Sequence, residues 1–180
     1  MISYIFSGFD VKEHFGNDVS EYFKKDMKEC KSITFIPGSF EDLDKVKRYV
    51  STDVEWFKEI GIDLEEVNIL DDNTEEDVMI DNIKNADIIF IMGGDTQRQN
   101  LFLERYKLKK MIKEANGIVI GVSAGAINLG GISLCSRDPD DGVNETITYR
   151  GIERIDYTIE PHFDLNNLDL LNNELYPISN

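Results

Sequence analysis

Ser123 stands in the run Gly121-Val122-Ser123-Ala124-Gly125, where a serine hydroxyl could attack a carbonyl carbon and pass an acyl group to water. A nucleophile on a sharp bend between a strand and a helix is held in a strained backbone conformation, its hydroxyl pointing out of the sheet. Glycine is expected at 121 and 125 because side chains there would collide with the neighbouring strand and helix. The helix N-terminus behind Ser123 adds partial positive charge where an oxyanion would form. A serine of ordinary pKa needs a base to take its proton, and the chain has two histidines. His14 lies in the polar stretch Asp10-Val11-Lys12-Glu13-His14 and reads as a solvated surface residue. His162, in Glu160-Pro161-His162-Phe163, ends an alternating, strand-like segment that begins at Tyr157. Another strand end is where a base could face Ser123. A hydrogen-bonded structural histidine is the plainer reading of the same residue.

A second strand end carries Ile91-Met92-Gly93-Gly94-Asp95-Thr96. Paired glycines let the backbone turn sharply and leave N–H groups uncovered by side chains. By itself this reads equally as a tight strand-to-helix turn capped by Asp95 or Thr96. Neither the dinucleotide fingerprint nor the nucleotide-triphosphate loop is present.

The elements that must position these residues follow from hydrophobic periodicity. Residues 2–7, 32–36, 66–70, 87–92 and 117–122 are short apolar runs rich in Ile, Val and Phe. Such runs suit strands buried on both faces of a parallel sheet. Between them lie amphipathic helical patterns. One runs from Asp42 through Val46, Tyr49, Val50, Val54 and Phe57 to Ile60. A second covers 74–86, with Thr74 and Asp77 resembling a capping pair. A third, from about Leu108 to Ala115, stops at Asn116-Gly117. This alternation predicts one α/β domain over residues 1–180, a three-layer α/β/α sandwich with a mostly parallel sheet and right-handed crossovers. In such sheets ligands bind beyond the carboxyl ends of the strands, where both glycine-containing motifs fall.

Composition narrows the function classes. The 180 residues are 41% hydrophobic and 30% charged, as in a globular domain. A formal charge of −16, from 35 acidic and 19 basic residues, repels phosphate backbones, and no basic cluster offsets it, so nucleic acid is not an expected partner. Cys30 and Cys135 are too few for a disulfide scaffold and read as reduced thiols. The N-terminus lacks the basic segment of a signal peptide, and no apolar stretch reaches the roughly 18 residues needed to span a bilayer. A cytoplasmic protein without membrane contact is the expectation. No His/Cys/carboxylate cluster suggests a metal, and no cofactor is expected.

Taken together, Gly93-Gly94-Asp95-Thr96, the elbow at Ser123 and Pro161-His162-Phe163 resemble the dipeptidase E (alpha-aspartyl dipeptidase) family of serine peptidases. That family is related to cyanophycinase and has a class I glutamine amidotransferase-like, flavodoxin-like fold. The resemblance runs from the first strand to near the C-terminus and implies Ser123 as nucleophile and His162 as base. It places the acid in the loop after the helix that follows the serine, best aligned with Asp138. Asp140, Asp141 and Glu145 are close rivals, and Glu160 is a further one. Such an acid orients the imidazole and stabilises its charged form. The oxyanion would be held by the N–H groups of Ala124 and Gly94. The implied substrate is a small peptide, with N-terminal Asp dipeptides the family's class; a homodimer is allowed.

The chain departs from the pattern in three places. It carries Asp95 where family members usually have Asn, and Glu160 where they have Asn before Pro-His. Downstream of His162 it has neither Lys nor Arg, whereas the family supplies there an arginine for the substrate's aspartate. The resemblance also implies that the family's last C-terminal strands are missing. Arg98 and Arg137 are the nearest candidate cations by sequence, and neither matches that arginine. Two other readings share the scaffold: an esterase or amidase, and a catalytically silent amidotransferase-like domain that binds a small molecule or partner. Amidotransferases use cysteine at the elbow, and Cys135 is too far along the chain to serve there.

Overall fold

Five of the apolar runs become strands of one parallel sheet in the computed structural model, which describes residues 1–137, 144–160 and 168–179. The strands are β1 (Ser3–Phe6), β2 (Ser32–Gly38), β3 (Glu66–Ile69), β4 (Ile88–Gly94) and β5 (Ile118–Val122), in the spatial order β1-β5-β4-β2-β3. Six helices pack around them: α1 (Gly16–Asp26), α2 (Leu43–Glu59), α3 (Glu76–Asn85), α4 (Thr96–Arg105), α5 (Leu108–Glu114) and α6 (Ala124–Leu129). Strand side chains alternate between two buried layers. Ile88, Phe90 and Met92 of β4 face α1 and α2, packing with Phe23, Val46, Val50 and Phe57. Ile89 and Ile91 face the opposite layer, with Met79 of α3, Phe102 of α4, Ile112 of α5 and Leu129 of α6. The predicted α/β/α sandwich is therefore observed.

Chain connectivity creates the crevice. From β2 the chain crosses one face through α2 to reach β3 at the sheet edge, while from β4 it crosses the other face through α4 and α5 to β5. Adjacent strands β2 and β4 thus send their connections in opposite directions, the arrangement that opens a binding crevice at their carboxyl ends.

Beyond β5, α6 leads into a two-stranded antiparallel sheet of β6 (Ile132–Cys135) and β7 (Ile147–Arg150), with Ile132 opposite Arg150. Leu134 packs there with Leu171 and Leu175 of a C-terminal helical stretch. Arg154 ties the opposite end of the domain together. Its guanidinium donates to the carbonyls of Ile112, Lys113, Ala115 and Gly117, and its Nε to Ser3 Oγ.

Two local expectations change. Thr74 does not cap α3: its hydroxyl is taken up by a turn, donating to Asp71 Oδ1 at 3.3 Å and accepting from Asp71 N at 3.1 Å. Glu75 is the N-cap residue and makes no side-chain cap. Residues 157–160 form no strand and have no strand partner among the described residues, and the remainder of that alternating segment, from Pro161, lies outside them. No helix among the described residues is long and apolar enough to cross a membrane. Cys30 and Cys135 are both free thiols.

Candidate active site

Ser123 sits between β5 and α6 at φ 49°, ψ −108°, a strained conformation for a residue with a side chain. The strain is held by contacts on every side. Ser123 N–H donates to Phe6 O on β1 at 2.8 Å, and Ser123 O accepts from Ile127 N at 3.0 Å. Both flanking glycines are sterically required. A Cβ at Gly125 would lie 2.1 Å from Ile91 O, and one at Gly121 would lie 2.6 Å from Leu129 Cδ1 and 2.9 Å from Gly125 C. The expected collisions with strand and helix are thus those that the fold imposes. Ala124, the next residue, is buried and begins α6, so its N–H has no acceptor within that helix.

Gly93 and Gly94 end β4 beside this bend. A Cβ at Gly93 would be 3.5 Å from Ser123 Cβ, so the β4 backbone runs directly against the serine. Gly94 adopts φ +135°, which disfavours any side chain. Gly38 on β2 presses against the same turn: a Cβ there would meet Gly93 O at 2.6 Å, and Gly38 O accepts from Asp95 N at 3.0 Å. The sequence reading did not single out Gly38; its signal was the Pro37-Gly38 ending of an apolar strand. Asp95 caps α4 by accepting from Arg98 N at 2.9 Å, as the turn reading expected.

The helices behind these two strand ends are locked by a buried amide network. Gln99 donates to the carbonyls of Ile36 and Met92, and Asn128 donates to Gln99 Oε1 and Thr96 O. Asn100 in turn reaches Asn128 Oδ1, Ser133 Oγ and Arg150 O. Satisfied polar networks in low dielectric fix one arrangement of the elements they join. Here they set α4 against α6, and so the glycine turn against Ser123.

The other candidates separate. His162, Asp138, Asp140 and Asp141 lie outside the described residues. Glu145 is exposed just before β7. Glu160 is half-buried, and its Oε2 is buried without a hydrogen-bond partner among the described residues. Burial raises the pKa of the Cys135 thiol, helped by the charges of Asp95 and Glu160 and opposed by a hydrogen bond with Thr96. Arg98 is engaged by Glu41 and by Asp95. His14 is less solvated than expected. It stacks on Trp56 at 4.8 Å between ring centroids, and its Nδ1 lies 2.6 Å from Glu59 Oε2. Among the described residues no group of three or more His, Cys, Asp or Glu could hold a metal ion.

A cavity of about 630 Å³ opens beside the bend, lined by Gly38, Gly93, Gly94 and Val122 at the strand ends and by α2 across from them. Its polar wall includes Asp53, whose carboxyl burial alone pushes up to about 7. Asp53 also escaped the sequence reading. The signal was there, because it occupies a slot in the apolar stripe Val46, Val50, Phe57 where a carboxylate is out of place.

The sequence model of peptidase family S51 matches residues 5–173. Among solved structures, the "Putative Peptidase E Protein" of Listeria monocytogenes EGD-e superposes with a TM-score of 0.65 at 22% identity, over 94% of this chain and 85% of that one. A peptidase from an acI-B1 Actinobacterium gives a TM-score of 0.66 at 18% identity, over 94% of this chain and 74% of that one. At these identities the two structures are alike in fold. Among curated proteins there is no sequence match.

Proposed function

The chain belongs to peptidase family S51, and from that premise we propose that it hydrolyses short peptides by acyl transfer through Ser123, His162 and an acid assigned to Asp138. His162 takes the Ser123 Oγ proton as Oγ attacks the peptide carbonyl carbon. The oxyanion is received by the N–H groups of Ala124 and Gly94, a kind of donor worth on the order of 10²–10³ in rate. The C–N bond then breaks, His162 passes its proton to the leaving amine, and an acyl-serine remains. Water, deprotonated by His162, attacks that ester, releases the carboxylic acid and returns the proton to Oγ. Asp138 is the assignment for the acid, with Asp140, Asp141, Glu145 and Glu160 as the alternatives to be tested.

The observation that carries this reading is the strained backbone of Ser123, packed against Gly93 and next to the positive-φ Gly94. A fold maintains such strain where the side chain must be presented rather than packed. The test is a fluorophosphonate probe read by intact mass, with Ser123→Ala as control. Single labelling of the folded protein, lost in the variant, is expected; an unlabelled Ser123 in folded protein removes the enzyme reading. Hydrolysis of Asp-X, Ala-X and Leu-X dipeptides then sets specificity, and no turnover of Asp-X eliminates the aspartyl class. Replacing the five acids singly identifies the one whose loss costs several orders of magnitude.

A further inference from the structure

The cavity beside Ser123 is walled by hydrocarbon and aromatic rings, with Trp56 on α2, Phe90 and Met92 on β4, and Phe9 after β1. Its size falls within the range that holds small ligands. Asp53 interrupts that apolar wall. Among the described residues no side chain ion-pairs or hydrogen-bonds with its carboxylate, and desolvation is the whole cause of its raised pKa. Lys45 also lines the cavity yet is no partner, because its Nζ stands over the Tyr49 ring at 5.9 Å. A carboxylate kept in apolar surroundings with no cation is costly, and the cost is recovered when a ligand brings the counter-charge.

We propose that this cavity receives a protonated amine of the substrate, seated on Asp53, with the adjoining hydrocarbon against Trp56, Phe90 and Met92. The position supports a substrate subsite: the lining includes Val122, next to Ser123 in the chain, and Gly93, whose backbone runs against Ser123. The chain's charge of −16 draws cations toward it. Nothing in the cavity matches a substrate carboxylate as well, because Asp42 and Asp53 oppose Lys45 there. The ammonium could be the peptide's own N-terminus or the end of a lysine-like side chain, and both present the same group to Asp53. Calling the carrier a substrate rests on the peptidase reading above; the amine site itself does not.

Calorimetric titration of the Ser123→Ala protein separates these possibilities without turnover. Three ligands are compared: leucine methylamide (α-ammonium only), Nα-acetyl-lysine methylamide (side-chain ammonium only) and Nα-acetyl-norleucine methylamide (no charge). At least one cationic amide should bind about tenfold or more tightly than the neutral one, as expected for a hydrogen bond to a charged group. Whichever it is identifies the source of the amine. Asp53→Asn, close to isosteric, should reduce that ligand to the neutral level while the neutral one is unchanged. Equal binding of all three, binding of none, or a preference that survives Asp53→Asn overturns the proposal. Failure of fluorophosphonate labelling would instead remove the peptidase reading and leave the amine preference standing.

Discussion

Replacing Asp53 by Asn should make the protein more stable above about pH 4, by an amount that grows as pH rises to about 7 and is constant beyond it. The folded-state pKa of about 7 lies above the ordinary value of 3.8, so the native state holds this proton more tightly than the unfolded chain does. The linkage therefore runs opposite to that of most carboxylates. Wild-type stability from this group is unpenalised below pH 4, falls as pH rises toward 7, and is lowest above 7. A difference of about 3 pH units at roughly 1.4 kcal/mol each sets an upper bound of about 4 kcal/mol. Part of that is given up because the amide must also be desolvated and water reaches the cavity, leaving about 2 kcal/mol. For a domain of this size that corresponds to roughly 4–8 °C in Tm. Thermal melts of both proteins at pH 4, 6 and 8 are the assay. Asp42, Lys45 and Tyr49 line the cavity in both proteins, so the difference between the two curves reads the group at position 53. The variant's advantage should be near zero at pH 4 and full at pH 8. A constant offset between the curves, or none at pH 8, would refute the assignment of an unpaired, desolvated carboxylate.

The elbow gives two further expectations. Ser123→Gly should melt higher than Ser123→Ala, by about 1–3 kcal/mol, because glycine adopts φ 49° without strain while both variants lack the hydroxyl; equal Tm values would mean the bend stores little. Gly125→Ala should cost on the order of 3 kcal/mol or more in urea unfolding, because its methyl group would overlap Ile91 O on a buried strand. A near-neutral change would show that α6 slides easily from β4.

The fold was legible because its strands are buried on both faces. Residues 88–92 alternate between two helix layers and both layers are apolar, so the run reads as continuous. The elbow was legible because its glycines obey a local steric rule at Ser123. Gly38 and Asp53 left only a local irregularity in their patterns, since their meaning depends on strands and helices far apart in sequence meeting at one crevice. The buried amides Gln99, Asn100 and Asn128 escaped for a similar reason: each looks like an ordinary polar helix residue until α4 and α6 are brought together. The alternation that begins at Tyr157 forms no strand over residues 157–160, where periodicity without a partner carries the pattern of a strand but not its hydrogen bonds; the rest of that segment, with His162, lies outside the described residues.

The position of β1 bears on the order in which the molecule assembles. It lies at the sheet edge, pairs only with β5 among the described residues, and joins Ser3 to Val119. Strands β2, β3 and β4 can meet while the chain is still being synthesised, because their pairings, such as Ser32 with Glu66 and Ile33 with Ile88, span much shorter loops. β1 therefore cannot take its place in the five-stranded sheet until more than a hundred further residues have followed it. Its carboxyl end supplies Phe6 O to the backbone of Ser123. The bend at Ser123 thus gains this support only once β1 has docked on β5, so a nascent or partly folded chain holds the candidate site unfinished.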